Sequence, residues 1–286
     1  MTIPPRRQPR MNNFTKRTIT SVVYVALMCA GLLIDERIFG ALFLVIMSVS
    51  MQEFFTMTMG GRLVPQQKIG LACAAAIYII LFAVLHYGLD AKWLTLAVIP
   101  VFAIPVSVLF SREHNDFRLV AYVYAALLYI AMPFLLELVL VLKGGSFNGS
   151  ILLMLFIMIW FGDAGAYIIG SALGQKPGSR KLAPKISPKK SWWGFWGGLA
   201  SGIIVALALG INSFLPFPPV HRIAVGALVS VCCVAGDLVE SLWKRQFGLK
   251  DSGNCIPGHG GMLDRFDSSL VAIPAAFIYM ELFSLI

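Results

Sequence analysis

Apolar residues come in runs close to the ~20 residues that an α-helix needs to cross a bilayer. Nine can be traced, at roughly 18–34, 38–59, 69–88, 91–110, 118–142, 149–170, 194–215, 222–243 and 267–286. Short polar patches separate them. A chain that buries its backbone polar groups in lipid must satisfy them internally, so this pattern predicts helices rather than open sheets. The expected fold is all-α: a polytopic membrane bundle of about nine transmembrane helices. Pro100, Pro105 and Pro133 fall inside spans, where they are expected to kink helices rather than end them. The first run does not read as a cleavable secretory signal, because it lacks a small-residue cleavage site and turns straight back through Asp35-Glu36-Arg37. No repeat of a solenoid-like period and no low-complexity stretch interrupts the pattern.

Composition agrees: 58% of the 286 residues are hydrophobic, 13% are charged and the mean hydropathy is +0.80. That excludes an ordinary soluble domain. The basic residues test the span count. With a cytoplasmic amino terminus, nine spans leave only Arg37, Lys92, Lys143 and Arg222 of the 23 basic residues on the outer side. This is the asymmetry that the positive-inside rule expects of a cytoplasmic amino terminus. The net charge of +9 is then explained by topology and by contact with anionic membrane lipids, not by nucleic acid. Residues 1–145 form an amino-terminal region of about five spans, and residues 146–286 a region of about four spans with two cytoplasmic loops. Cys29, Cys73, Cys232 and Cys233 lie in spans and Cys255 in a loop, so no disulfide is expected. Cys255 with His259 is too small a set to predict a zinc site.

Acids are scarce, and an ionisable group inside a span normally faces the bundle interior or a wet cavity. Glu53 and Glu137 are single acids in spans, for which a structural pairing and a functional role are equally good readings. Asp237 stands apart. At 100° per residue, Asp237, Glu240, Ser241 and Lys244 share an arc of about 100° on one helix. Glu240 and Lys244 are an i,i+4 pair in the favoured order, which leaves Asp237 unaccounted for. Asp264, Asp267 and Ser268 share a side if the last helix begins near Asp264, although an acid there also suits the helix dipole. Two acids from neighbouring helices would suit Mg²⁺, which takes one or two carboxylates and completes its shell with water and phosphates.

The loop from Gly174 to Gly194 carries six basic residues, three Pro and no acid. It follows a span that contains Asp163 and Tyr167, one turn apart. Cations beside acids at one membrane face suit a nucleotide triphosphate or a phospholipid head. Between Leu242 and Leu270 runs LWKRQFGLKDSGNCIPGHGGMLDRFDSSL, polar and glycine-rich between two apolar runs. Gly258-His259-Gly260-Gly261 matches neither the Walker pattern nor a dinucleotide fingerprint. Its glycines either set amides against an anion or turn the chain.

Three stretches together resemble the phosphatidate cytidylyltransferases. They are Ser241 to Asp267, Gly162-Asp163-Ala164-Gly165-Ala166-Tyr167, and Lys181 to Lys190. The resemblance implies conversion of CTP and phosphatidate to CDP-diacylglycerol and pyrophosphate, with Mg²⁺, a K⁺ beside it, and a homodimer in the inner membrane. It implies that Asp237 and Asp264 hold the metal. The catalytic candidates are Asp237, Asp264, His259, Lys250 and Lys244. Substrate-binding candidates are Lys189, Lys190, Ser191, Arg245, Asp251, Gly258, Gly260, Gly261, Arg265, Asp267, Ser241 and Asp163. Two positions depart from the family pattern: Trp193 stands where an acid is usual, and Ser171 where an Arg is common. Rival readings are a CTP-dependent lipid kinase, a cytidylyltransferase for another lipid phosphate such as an isoprenoid one, and an ion-coupled transporter. A transporter predicts an inverted repeat and acids near mid-membrane, and the sequence has neither.

Overall fold

Asp35 turns the chain between its first two helices. Extended itself (φ −156°, ψ 141°), it accepts the Arg37 N–H on its carboxylate at 2.7 Å, the side-chain cap that starts the next helix. The computed structural model describes residues 13–111, 114–211, 215–255 and 260–286. Arg6, Arg7, Arg10, Arg112, Gly258 and His259 lie outside the described residues.

The helices run α1 (Asn13–Leu33), α2 (Glu36–Met59), α3 (Val64–Tyr87), α4 (Lys92–Ser107), α5 (Val120–Ala126), α6 (Met132–Leu142), α7 (Ser150–Ala172), α8 (Trp192–Ile211), α9 (Pro219–Gln246), α10 (Leu263–Phe266) and α11 (Ser269–Leu282). Gly60 ends α2 with φ 56°, a left-handed C-cap that costs a glycine nothing. Among the described residues seven helical segments are long and apolar enough to cross a membrane: Glu36–Met59, Val64–Tyr87, Lys92–Phe110, Phe117–Leu142, Ser150–Ala172, Trp192–Ile211 and Pro219–Gln246. The other two expected runs, 18–34 and 267–286, fall on α1 and α11. The apolar stretch of α1 is shorter (Thr20–Leu33), and the 14 residues of α11 span only ~21 Å.

The prolines do not end their helical spans, as expected. Pro100 and Pro105 both sit inside α4. Pro133 follows a π-helical turn, Leu127–Ala131, that joins α5 to α6 in one continuous span. A proline ring has no N–H and crowds the preceding turn, and widening that turn relieves the crowding.

The all-α expectation needs one correction. Lys181–Ala183 (β1) and Ser187–Ser191 (β2) form an antiparallel hairpin, with Lys181 opposite Ser191 and Ala183 opposite Ser187. With only two strands, both are edges, so Pro188 can lie in β2.

The packing rests on small residues. A Cβ on Gly165 would meet the Ser201 side chain at 2.5 Å and the Gly197 carbonyl at 3.0 Å, and one on Gly197 would meet Ile169 at 2.6 Å. Hence α7 and α8 lie backbone to backbone, as membrane helices do where small residues line the seam. Gly236 does the same for α9, where an added Cβ would fall 2.5 Å from the Asp267 carbonyl. That contact sets Asp237 beside the start of α11. Buried apolar residues of 1–145, such as Phe39, Phe43 and Phe134, form one cluster with Phe156, Phe266 and Ile273 of 146–286.

Candidate active site

A cavity of ≈ 700 Å³ opens where α7, α9, the hairpin and the start of α10–α11 converge. Asp163, Tyr167, Lys189, Lys190, Ser191, Asp237, Lys244, Asp251, Asp264, Arg265 and Asp267 all line it. Residues drawn from three separate stretches of sequence therefore meet at one place. Asp163 and Tyr167 share its wall, as their one-turn spacing predicts. A second cavity of ≈ 250 Å³, walled by Thr20, Tyr24 and Trp160, shares Asp163, Asp264, Arg265 and Asp267 with the first.

Two acid–lysine pairs organise the centre. Lys190 Nζ lies 2.5 Å from Asp237 Oδ2, while Ser241 Oγ donates to Asp237 Oδ1 at 3.2 Å. Lys244 Nζ lies 2.5 Å from Glu240 Oε2 and 2.7 Å from Asp264 Oδ1. The i,i+4 pair is present as predicted, and Lys244 also reaches across to the acid of the next helix. Removing Lys244 would leave the largely buried Asp264 carboxylate without its cation.

Asp264 is held on both oxygens. Oδ1 takes Lys244, and Oδ2 accepts the N–H groups of Ser252 at 3.0 Å and Gly261 at 2.8 Å. Burial works against ionisation of this carboxyl, but hydrogen bonds with Glu240, Lys244 and the Gly261 N–H outweigh it and set it at about 2. Asp264 is an anion under all ordinary conditions.

The glycines serve these carboxylates. Gly260 has φ 85°, and a Cβ there would meet Asp264 Oδ2 at 2.7 Å; a Cβ on Gly261 would meet Glu53 Oε2 at 2.4 Å. Of the two roles open for the loop, its described amides take a third. They face anions, but the anions are the protein's own acids.

Other expected residues take framework roles. Ser191 is buried, and its hydroxyl accepts the Gly194 N–H at 3.2 Å, capping α8. Arg245 donates to the Leu249 carbonyl at 2.7 Å and the Ile186 carbonyl at 3.3 Å, tying the end of α9 to the hairpin. Arg245 and Lys250 are not among the residues that line the larger cavity. Neither is Trp193, which is exposed at the start of α8 together with Trp192 and Trp196. The acid usual at that position is therefore missing from the surface, not from the cavity. Ser171 does line the cavity, and its hydroxyl donates to the Ile168 carbonyl.

Sequence reasoning missed Gln175 and left Glu53 open between a structural and a functional role. Gln175 lines the cavity and ties the hairpin together, donating to the Lys189 carbonyl at 2.9 Å. Nothing in its polar loop distinguished it. Glu53 reaches the glycine loop from α2, and its one signal was an acid near the end of an apolar run.

The wall offers oxygen donors, which suits Mg²⁺. Among the described residues no three His, Cys, Asp or Glu side chains form a ready-made cage, but Mg²⁺ needs only one or two carboxylates from protein when phosphates supply the rest. Each of Asp237 and Asp264 already holds one cation, an ammonium group, at 2.5–2.7 Å.

Residues 15–283 match the model of the cytidylyltransferase family. The chain belongs to that family. Membership covers the amino-terminal helices as well as the cavity. The phosphatidate cytidylyltransferase of Pseudomonas aeruginosa is similar to this family member, 35% identical over 269 residues that cover 91% of this chain and 94% of that one. The Bacillus subtilis phosphatidate cytidylyltransferase is 40% identical over 132 residues, 45% of this chain. The Haemophilus influenzae one is 38% identical over 139 residues, 47% of this chain. The chain spans about half the length of the last two relatives, 46% of each.

Proposed function

We propose that this cytidylyltransferase family member joins phosphatidate to CTP, giving CDP-diacylglycerol and pyrophosphate. The observation that carries this reading is the cavity itself, where Lys189, Lys190, Lys244 and Arg265 face Asp163, Asp237, Asp264 and Asp267 at the foot of the membrane helices. A phosphate oxygen of phosphatidate attacks the α-phosphorus of CTP. A new P–O bond forms, the bond from the α-phosphorus to the α,β-bridging oxygen breaks, and that oxygen leaves with pyrophosphate. The attacking phosphate is already anionic near neutral pH, so the chain needs no strong general base. Its task is electrostatic, to bring two polyanions together and to stabilise charge on the departing group.

Asp237 and Asp264 are the acids assigned to Mg²⁺, with K⁺ beside it. When bound, Mg²⁺ supplies charge neutralisation on the CTP phosphates. Lys190 and Lys244, beside those acids, would pair with phosphate oxygens of the substrates. Arg265 and Lys189 add countercharge from the cavity wall, Lys250 adds it from outside the lining next to Asp251, and His259 serves as a donor to the leaving group. Asp163 and Asp267 complete the acid wall, Asp251 orients the basic residues beside it, and Arg245 fixes the hairpin. The same reading includes nine spans with α1 and α11 among them, a cytoplasmic amino terminus, the inner membrane and a homodimer. The positive-inside asymmetry supports the orientation, and the resemblance supports the dimer.

The test is product analysis. Purified protein incubated with CTP, Mg²⁺ and phosphatidate should release pyrophosphate and a CDP-lipid, read by mass spectrometry. Release of CDP with a newly phosphorylated lipid would identify a kinase instead. Turnover confined to a polyprenyl phosphate would move the acceptor, leaving the chemistry in place.

A further inference from the structure

Glu53 sits on α2, 199 residues before Ser252 in the chain. Its carboxylate gathers three donors from the glycine loop and the start of α10. Oε1 accepts the Met262 N–H at 3.0 Å; Oε2 accepts the Leu263 N–H at 2.9 Å and the Ser252 hydroxyl at 3.2 Å. The approach is so close that side chains are excluded from the loop. A Cβ on Gly253 would fall 2.5 Å from Glu53 Oε1, and one on Gly261 would fall 2.4 Å from Oε2. Ser252 serves both acids: its hydroxyl donates to Glu53, while its N–H, with that of Gly261 next to Met262, binds Asp264 Oδ2. The loop is thus clamped between two carboxylates, one from each half of the chain.

We propose that Glu53 is a positioning residue for the reaction. It fixes Ser252 and the turn at Gly261–Leu263, and through their amides it fixes the carboxylate of Asp264 and the neighbouring Arg265 against the cavity. It has no contact with substrate in this proposal. The role rests on the function proposed above only for its activity readout, because the clamp itself is independent of which lipid is processed.

The experiment compares wild type, Glu53→Gln, Glu53→Ala and Gly261→Ala in detergent. Two readouts are taken: steady-state kinetics with CTP and phosphatidate per mole of folded protein, and amide hydrogen exchange along the chain without substrate. A carboxamide keeps one acceptor oxygen but turns an NH₂ group toward backbone donors, so Glu53→Gln should lose about 10-fold in kcat and Glu53→Ala about 100-fold, the scale of a misplaced catalytic group. The KM for CTP should change much less, since the loss lies in placement during reaction. Exchange should rise in peptides covering 250–263 and stay unchanged in α7 and α8. Gly261→Ala should reproduce both effects with the carboxylate intact, so the proposal is testable even if Glu53→Ala does not fold. Wild-type kcat in Glu53→Gln would overturn it, as would activity loss accompanied by exchange spread evenly over the molecule. If wild type itself yields no CDP-lipid while exchange in 250–263 rises in the variants, the functional reading fails and the clamp stands.

Discussion

The hairpin loop after α7 and the glycine loop after α9 have similar raw material: glycine, proline and basic residues between two membrane helices. They solve different problems. In the hairpin loop the internal bonds run to neutral oxygens. Lys181 Nζ donates to the Gly174 carbonyl at 2.8 Å and to Gln175 Oε1 at 2.9 Å, and Gln175 ties β2 at the Lys189 carbonyl. No acid lies in that loop, so Lys189 and Lys190 reach the cavity with their charge unspent within it. The glycine loop instead spends its donors at home, on Asp264 and Glu53. One loop is built to meet an anion that arrives; the other has been folded around anions that never leave. Loop composition alone does not separate these cases. The position of the acids does.

Perturbations of the two loops should therefore have opposite signatures, activity without stability on one side and both together on the other. The largest effect is expected at their meeting point: Asp237→Asn should lower kcat about 1,000-fold, the scale for loss of one preorganised electrostatic group, with little change in thermal stability. Retention of near wild-type turnover would remove Asp237 from the centre. Lys190→Met should cost about 100-fold in kcat/KM for CTP and leave the melting temperature within a few degrees, because its partner Asp237 is reachable by water. Lys244→Met, by contrast, should destabilise by about 3–5 kcal/mol, since Glu240 and Asp264 would lose their shared cation in a buried setting. Detergent-phase thermal unfolding separates these two lysines.

A smaller effect comes from pH. The carboxyl of Asp264 ionises near 2 in the folded protein against an ordinary value of 3.8. A depressed folded value means that its stabilisation is complete above about pH 4 and is lost as pH falls toward 2. The difference corresponds to about 2 kcal/mol. Unfolding measured between pH 5 and 2.5 should show this loss, and Asp264→Asn should remove that slope while lowering stability at pH 5. The smallest effect is expected for Arg245→Ala. Two bonds to carbonyl oxygens at an exposed helix end amount to about 1 kcal/mol, so activity should stay within a few-fold of wild type. A loss of 100-fold or more would return Arg245 to the substrate.

Much of this was legible because period and charge are local properties. Seven of the spans followed from run length, and the stripe Asp237–Glu240–Ser241–Lys244 from helical spacing. Each of those positions is fixed by neighbours a few residues away. The hairpin was not legible, because Lys181-Leu182-Ala183 has no strand periodicity and a two-stranded ribbon is set by its attachment to α7 and α8. Nor could spacing tell which cations would be used up by the fold. Arg245 and Lys190 look alike in sequence, yet one holds carbonyls and the other an acid in the cavity. Glu53 was the least legible, since the donors that define its role lie in the other half of the chain.

That separation has a consequence for how the protein is made. Glu53 enters the membrane with α2, while Met262 and Leu263 lie 209 and 210 residues further on. At ~5–20 residues per second, translation leaves this acid waiting ~10–40 s for its donors. The segment that completes the clamp is thus synthesised long after the acid that holds it.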